Sequence, residues 1–430
     1  MRELIRQVER VFTRFGFSPM MTPVLEYAEL LTGKYGDEAD KLMYKFVDHG
    51  DRTVAMRYDH TVPLARVLAN NRDLPLPFKR FTIAPVWRAD KPQRGRLREF
   101  YQCDVDIVGS DQARADAEVL AVAYELFKAL GIKKFGIQVS HRGVLDALVR
   151  SVGVAKSQVG GVFHAIDKFP KYGEATFIKD TAALGLTSEQ TQALLKSIGQ
   201  PVGGDSIKGS SPRLAELKKT LAADPEGLAA LSELTAIVQH AQALGVPKDK
   251  LHVDLRIVRG LDYYTGMVVE SVIEDLPLYG SVFGGGRYDT LLGMVSGKNV
   301  PAVGISLGLG RLFDALSELK LLPRAEAAAH VMIAVLEDVG SGAGSAQEVE
   351  QVAHVLRDAG VSTEVYLGRP TKVAKLDRQL KYADKRGIAW VVWQGPDECR
   401  RGVFAAKHLG SRKQHELKIE ELVAAIKDLR

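Results

Sequence analysis

Two strand-like segments, "RFTIAPVWRA" at 80–89 and "EFYQCDVDIVG" at 99–109, are separated by only nine residues, "DKPQRGRLR". A parallel return needs a crossover of about a dozen residues or more, so segments this close pair as an antiparallel hairpin. The surroundings are of the same kind. "YKFVD" and "TVAMRY" precede the hairpin, strand signals return over 252–270, and the glycine-rich stretches "SVFGGGRYD" and "PAVGISLGLGRLFDAL" close the unit. An opening helix carries Ile5, Val8, Val11 and Phe12 at helical spacing and stops at Gly16, and "HTVPLARVLANN" supplies a second. In "MMTPVLE", Pro23 marks a strand or its edge. The expected fold is α+β: a mainly antiparallel sheet with flanking helices.

Between about 141 and 245 the chain turns rich in Ala, Leu, Lys and Glu at helical spacing, interrupted by "GQPVGGDSIKGSSP". This predicts a helical insertion over about 165–245. After "LPRAEAAAH" strands alternate with helices, from "VMIAV" through "VSTEVYL" to "IAWVVWQG". That order predicts a separate α/β domain over 329–430 with a largely parallel sheet, following a first domain over 1–325.

Several classes are excluded. The 430 residues, 46% of them hydrophobic, suffice for a large core, yet no apolar run approaches the ~18 residues needed to span a bilayer. The amphipathic "MRELIRQVERVFTRFGF" lacks the apolar centre of a secretory signal, so the cytoplasm is the expected location and no membrane partner is expected. Cys103 and Cys399 lie far apart without a paired-ligand motif and read as packing residues, with no structural metal indicated. Charge is distributed unevenly: eight Lys or Arg against two Asp over 71–98, and twelve against four acidic residues over 369–413. Two basic regions far apart suit a long polyanion touching the protein at both ends.

The hairpin also carries chemistry. Arg88 and Arg98 sit on opposite arms, and a guanidinium grips phosphate or carboxylate bidentately. Phe100, Gln102, Asp104 and Asp106 share one face at period two. An aromatic, an amide and carboxylates in a row suit a purine ring and a positively charged amine, although a hairpin with solvated polar residues fits the same pattern. In "VRGLDYYTGMVVE" alternation sends Tyr263 and Tyr264 to opposite faces. The two glycine-rich stretches fit neither a phosphate loop nor a dinucleotide fingerprint. Arg311 opens a helical stretch whose N-terminal field favours phosphate.

The order of these motifs resembles a histidyl-tRNA synthetase, of the class II aminoacyl-tRNA synthetases, over almost the whole chain. "RFGFSPMMTPVLE" resembles motif 1, with Pro23 in its dimer-forming segment; "PVWRADKPQRGRLREFYQCDVDIVG" resembles motif 2 and "VGISLGLGRL" motif 3. "RGLDYYTG" and "GGGRYD" are similar to the two signatures that set the histidine enzyme apart within the class. The resemblance implies ATP-dependent ligation of L-histidine to tRNA(His) through a histidyl-adenylate, by a homodimer, with ATP and Mg2+ as co-substrate. It implies that Arg259 and Arg88 hold the α-phosphate and the histidine carboxylate, Arg311 the γ-phosphate, and that Phe100 stacks on adenine, with Arg98 also at the ATP. Asp106, Tyr264 and Tyr288 would receive the imidazole, and Asp59, Thr61 and Gln102 the α-amino end. Lys91, Gln93, Arg94 and Arg96 would meet the tRNA acceptor end, and the segment 369–386 of the C-terminal domain is the place to look for anticodon contacts. Tyr263 would be structural.

Family members usually carry a short Gly-Thr-x-Asp-like segment ahead of the first helix, so the recorded start is expected to lie downstream of the true one. Two readings from other classes remain: a non-catalytic synthetase-like regulatory subunit of histidine biosynthesis, and an RNA-binding protein with an inactive synthetase domain. The first kind typically lacks the anticodon-binding domain and parts of the signatures. This chain keeps Arg259, Arg311, both motif 2 arginines and a C-terminal domain.

Overall fold

In a computed structural model the chain is described except at residues 34–39, 72, 93–96, 200–201, 204–211, 259–263, 323–326, 337–345, 373–374 and 429–430. It divides into two units, Met1–Leu322 and Pro323–Arg430. The strands of the first unit are β1 (Ser18–Pro19), β2 (Leu25–Tyr27), β3 (Lys45–Val47), β4 (Thr53–Met56), β5 (Phe78–Trp87), β6 (Glu99–Val108), β7 (Phe135–His141), β8 (Val202–Gly203), β9 (Leu251–Val253), β10 (Met267–Ile273), β11 (Ser281–Arg287) and β12 (Ala302–Gly308). Nine of them form one sheet in the order β1-β5-β6-β12-β11-β10-β7-β9-β8. Only β1 with β5 and β7 with β9 run parallel.

Alternation on β6 explains how this sheet serves two purposes. Cys103, Val105 and Ile107 point to one side and join Phe81 in the main core. There the helices Arg2–Arg14 and Ala113–Ala129 cover the sheet with Leu4, Val8, Val11 and Phe12 and with Val119, Leu120, Leu126 and Phe127. The even-numbered residues face the other way and carry the polar groups. On that side a smaller core joins Val62, Leu64 and Ala65 of the helix Thr61–Asn70 to Tyr264, Val268 and Tyr288.

The segments "YKFVD" and "TVAMRY" do not join this sheet. They form β3 and β4 of a separate three-stranded sheet in the order β2-β4-β3. Arg57, 1% exposed, fastens the segment after β4: its Nη1 donates to the Thr22 carbonyl at 2.7 Å and its Nε to the Pro85 carbonyl at 2.9 Å. The glycine-rich stretches "SVFGGGRYD" and "VGISLGLGRL" lie inside the large sheet. Both are central strands, β11 and β12, and their glycines answer close packing within the sheet.

Between β7 and β9 lie the helices Arg142–Ser151, Val159–Ala183, Ser188–Ile198, Pro212–Thr220 and Pro225–Ala243. The longest is broken at Gly173, whose φ of 79° only glycine adopts without strain. "GQPVGGDSIKGSSP" falls mostly outside the described residues, apart from β8, which pairs with β9.

The second unit holds β13 (Val331–Ile333), β14 (Thr363–Val365), β15 (Trp390–Trp393), β16 (Phe404–His408) and β17 (Gln414–Leu417), in the order β14-β13-β15-β16-β17. The first three are parallel and the last two antiparallel, so the sheet is mixed and not largely parallel. The turn between β16 and β17 is too short for a crossover helix. The described charged side chains of the segment 369–386 are exposed, as its composition suggests, while its uncharged side fastens it to the sheet. Gln379, fully buried, ties the helix Asp377–Arg386 to the chain after β13, donating to the Val335 carbonyl at 2.7 Å and accepting from its N–H at 3.1 Å.

Candidate active site

The site face is set by register. Across β5, β6 and β12, Arg80 pairs with Asp106 and Gly304, Thr82 with Asp104 and Ser306, and Ala84 with Gln102 and Gly308. One strand further, Gly304 and Ser306 oppose Gly286 and Gly284 of β11. A polar row on β6 therefore borders a floor of glycines. At Gly304 a methyl group would collide with the Asp106 carboxylate and lie 2.7 Å from the Val105 carbonyl; at Gly286 it would lie 2.9 Å from the Tyr264 ring. Gly304→Ala is expected to displace Asp106 and destabilise the unit by about 1–3 kcal/mol, as overpacking does. Thermal unfolding of the variant checks this, and an unchanged transition would mean the strands can shift apart.

Asp106 is 3% exposed and has a partner beside each oxygen, with acceptor capacity left over. Arg80, itself 0% exposed, places Nη2 2.6 Å from Asp106 Oδ2, and the Tyr288 hydroxyl donates to Oδ1. Arg80 is steadied by Thr82 Oγ1 at 2.7 Å and the His60 carbonyl at 3.1 Å. Burial pushes the Asp106 carboxyl up, while Arg80 and Tyr288 pull it back. The Tyr288 phenol is held well above its ordinary value by burial and by Asp106, so it stays a donor. His60, buried beside Ala84, is driven well below the usual imidazole range by burial first and then by Arg80 and Arg57; it is neutral.

At the loop end of the hairpin, the Arg88 N–H donates to the Arg98 carbonyl at 2.9 Å. The Arg88 guanidinium lies 4.3 Å from the Tyr58 ring centroid and 5.2 Å from that of Phe100, and its Nε donates to the Tyr58 carbonyl at 3.2 Å. A cation held between two aromatic faces keeps its fork directed. Next to Tyr58, Asp59 Oδ1 accepts from the N–H groups of Thr61 at 3.0 Å and Val62 at 3.3 Å, two donors left free at the start of the helix Thr61–Asn70. Gln102 Nε2 donates to Ser306 Oγ at 2.8 Å.

The structure thus brings Asp59, Thr61, Arg88, Phe100, Gln102 and Asp106 to one side of the sheet. Tyr264 and Tyr288 are buried together in the smaller core of that side. Arg98 is exposed, its Nε 3.4 Å from the Asp90 carbonyl. Arg311 stands on the helix Leu309–Glu318, which leaves β12 just after the Gly308–Gln102 pair, and donates to the Ser281 carbonyl. Lys91 is exposed near the hairpin tip. Arg259 and Tyr263, and Gln93, Arg94 and Arg96, lie outside the described residues. Among the described residues no group of three or more His, Cys, Asp or Glu side chains is placed to hold a metal ion. Sequence reasoning missed Arg80, Tyr58 and Ser306. Arg80 carries the only usable signal, a charge at period two with Thr82 inside a strand that otherwise reads as buried.

A large mainly antiparallel sheet bearing this hairpin, followed by a separate α/β unit, defines a class II aminoacyl-tRNA synthetase. Residues 1–312 match the family model described as histidyl-tRNA synthetase, and residues 330–429 match an anticodon binding domain. The histidine–tRNA ligase of Rhodopirellula baltica is 40% identical over 417 residues, covering 96% of this chain and 91% of its own; that of Cytophaga hutchinsonii is 36% identical over 443 residues, covering 98% and 94%. The crystal structure of histidyl-tRNA synthetase from a Nostoc species superimposes with a TM-score of 0.85 at 30% identity, covering 100% of this chain and 95% of that one. The chain belongs to the histidyl-tRNA synthetase family.

Proposed function

We propose that the protein activates L-histidine with ATP and transfers it to tRNA(His). A histidine carboxylate oxygen attacks the α-phosphate, pyrophosphate leaves, and the resulting adenylate is attacked by a terminal ribose hydroxyl of the tRNA with release of AMP. No enzyme nucleophile is required, so positioning and preorganised charge carry the rate. Arg88 and Arg259 hold the α-phosphate and the carboxylate, Phe100 stacks on adenine with Arg98 close by, and Arg311 holds the γ-phosphate. Mg2+ enters with ATP as part of the co-substrate.

The observation that carries the reading is the buried Arg80–Asp106–Tyr288 cluster bordering the β6 row. An imidazole offers one N–H and one acceptor nitrogen. Asp106 accepts from the first, and Tyr264 and Tyr288 complement the ring. Asp59, Thr61 and Gln102 hold the α-amino end. Apolar analogues leave these groups unpaired, a penalty worth about four or five orders of magnitude in the best cases.

The first unit is catalytic and the second reads tRNA(His), with Lys91, Gln93, Arg94 and Arg96 at the acceptor end. Exposed Met21, Leu25, Tyr27, Phe46 and Val47 favour a homodimer buried along this strip. No described helix is long and apolar enough to cross a membrane, which accords with a cytoplasmic enzyme. ATP–pyrophosphate exchange tests the function. Exchange that requires histidine among the amino acids and collapses in Arg259→Ala is expected; folded protein without histidine-dependent exchange would overturn it in favour of a regulatory or RNA-binding role.

A further inference from the structure

Asp104 is assigned no individual role in the proposed function, yet it stands in the middle of the β6 row, between Gln102 and Asp106, and is 4% exposed. Its Oδ1 is buried without a hydrogen-bond partner. Ser306 is the cross-strand partner of Asp104 on β12, which places its hydroxyl beside the carboxylate, and Ser306 Oγ accepts from Gln102 Nε2 at 2.8 Å. A hydroxyl has one proton to give. If that proton goes to Asp104, Ser306 can only accept from Gln102, which fixes the amide with nitrogen toward Ser306. The Gln102 Oε1, also buried and without a partner, is left as an acceptor.

The charges around Asp104 come from every neighbouring element. Arg80 faces it from β5, Asp106 from β6 and Asp59 from the start of the helix Thr61–Asn70; β12 contributes only the Ser306 hydroxyl. Arg57 acts from the segment after β4, while neutral His60 adds no charge. Arg80 is committed to Asp106. A buried carboxylate in such a place gains from a cation, and the amino acid substrate brings one.

We propose that Asp104 is a positioning residue for the amino acid substrate: through Ser306 it holds the Gln102 amide with Oε1 presented to the α-ammonium group, and its carboxylate supplies the negative charge which that group meets. This rests on the histidine-activating reading. Burial raises the Asp104 carboxyl to about 7, Asp106 and Asp59 adding to the rise while Arg80 and Ser306 oppose it. Below that pH the empty site keeps a proton on Asp104, and an arriving ammonium favours its release. Histidine affinity therefore weakens as pH falls through about 7, approaching tenfold per pH unit.

The test compares the full-length wild type with Asp104→Asn and Ser306→Ala. The KM for histidine in pyrophosphate exchange is followed from about pH 6 to pH 8.5, and histidine binding is titrated calorimetrically in buffers of different ionisation enthalpy. The substrate's own imidazole titration is common to all three proteins and cancels in the comparison. Near pH 6.5 the wild type is expected to release roughly three-quarters of a proton more than Asp104→Asn. That variant is expected to show a KM raised about tenfold near pH 8, kcat changed less than about threefold, and a flattened pH profile. Ser306→Ala should raise KM yet keep the wild-type slope. An Asp104→Asn protein with wild-type KM and slope overturns the proposal, as does one in which kcat falls while proton release is unchanged, since that marks a purely structural residue. Wild type that fails to bind histidine at all removes the functional reading itself, and this inference with it.

Discussion

Replacing Arg80 by methionine is expected to lower the unfolding free energy of the unit Met1–Leu322 by about 3–5 kcal/mol, the usual penalty for breaking a buried ion pair from one side. The side chain is 0% exposed and neutralises Asp106, itself 3% exposed. It also holds Asp104 lower than burial alone would. Methionine keeps much of the volume, so the loss reports charge and hydrogen bonding more than a cavity. The pH dependence has a definite sign. Without Arg80 the folded-state pKa values of both carboxyls rise further, so the loss is full above those raised values and shrinks as pH falls and the carboxyls take up protons. Scanning calorimetry at several pH values checks this, and a loss below about 1 kcal/mol near pH 8 would show that the two carboxyls tolerate burial unpaired. Adding Asp106→Asn should recover part of the stability while leaving histidine selection impaired.

Arg88→Ala is expected to slow histidine-dependent pyrophosphate exchange by about 10²–10³-fold, the scale for removing one preorganised donor from a developing charge. The guanidinium is clamped between the Tyr58 and Phe100 rings, with Nε on the Tyr58 carbonyl, so its remaining donors are directed without further ordering on substrate arrival. Arg88→Lys should rescue little, because an ammonium neither stacks between the rings nor grips an α-phosphate bidentately. The loss belongs in kcat, with histidine binding in the absence of ATP changed much less. Exchange within about threefold of wild type would remove Arg88 from the proposed phosphate-holding role.

Legibility followed the range of the interactions involved. The hairpin was readable because its loop is short, and its polar row because alternation is a property of one strand. The helix Arg2–Arg14 was readable from Ile5, Val8, Val11 and Phe12, of which the last three are buried and Ile5 is half-buried. The three-stranded sheet was not, since β-branched and aromatic residues favour a strand without naming its partner. The purpose of the glycines of β11 and β12 was not readable because their reason lies in other strands: Asp106 beside Gly304, and Tyr264 beside Gly286. In the second unit, alternation of strands and helices suggested parallel pairing, while the short β16–β17 turn reversed the last strands.

The sequence by itself determined the element types, the residues sharing the polar face of β6, the motifs marking the family and the α+β class, because each depends on neighbours along the chain. Tertiary structure alone decided that Arg80 stands opposite Asp106, that Ser306 stands opposite Asp104 and bonds Gln102, and that Tyr58 backs Arg88. Those pairings depend on register and strand order, which follow from how the whole sheet buries the odd-numbered face of β6 against the helices and leaves the polar groups on the even-numbered one.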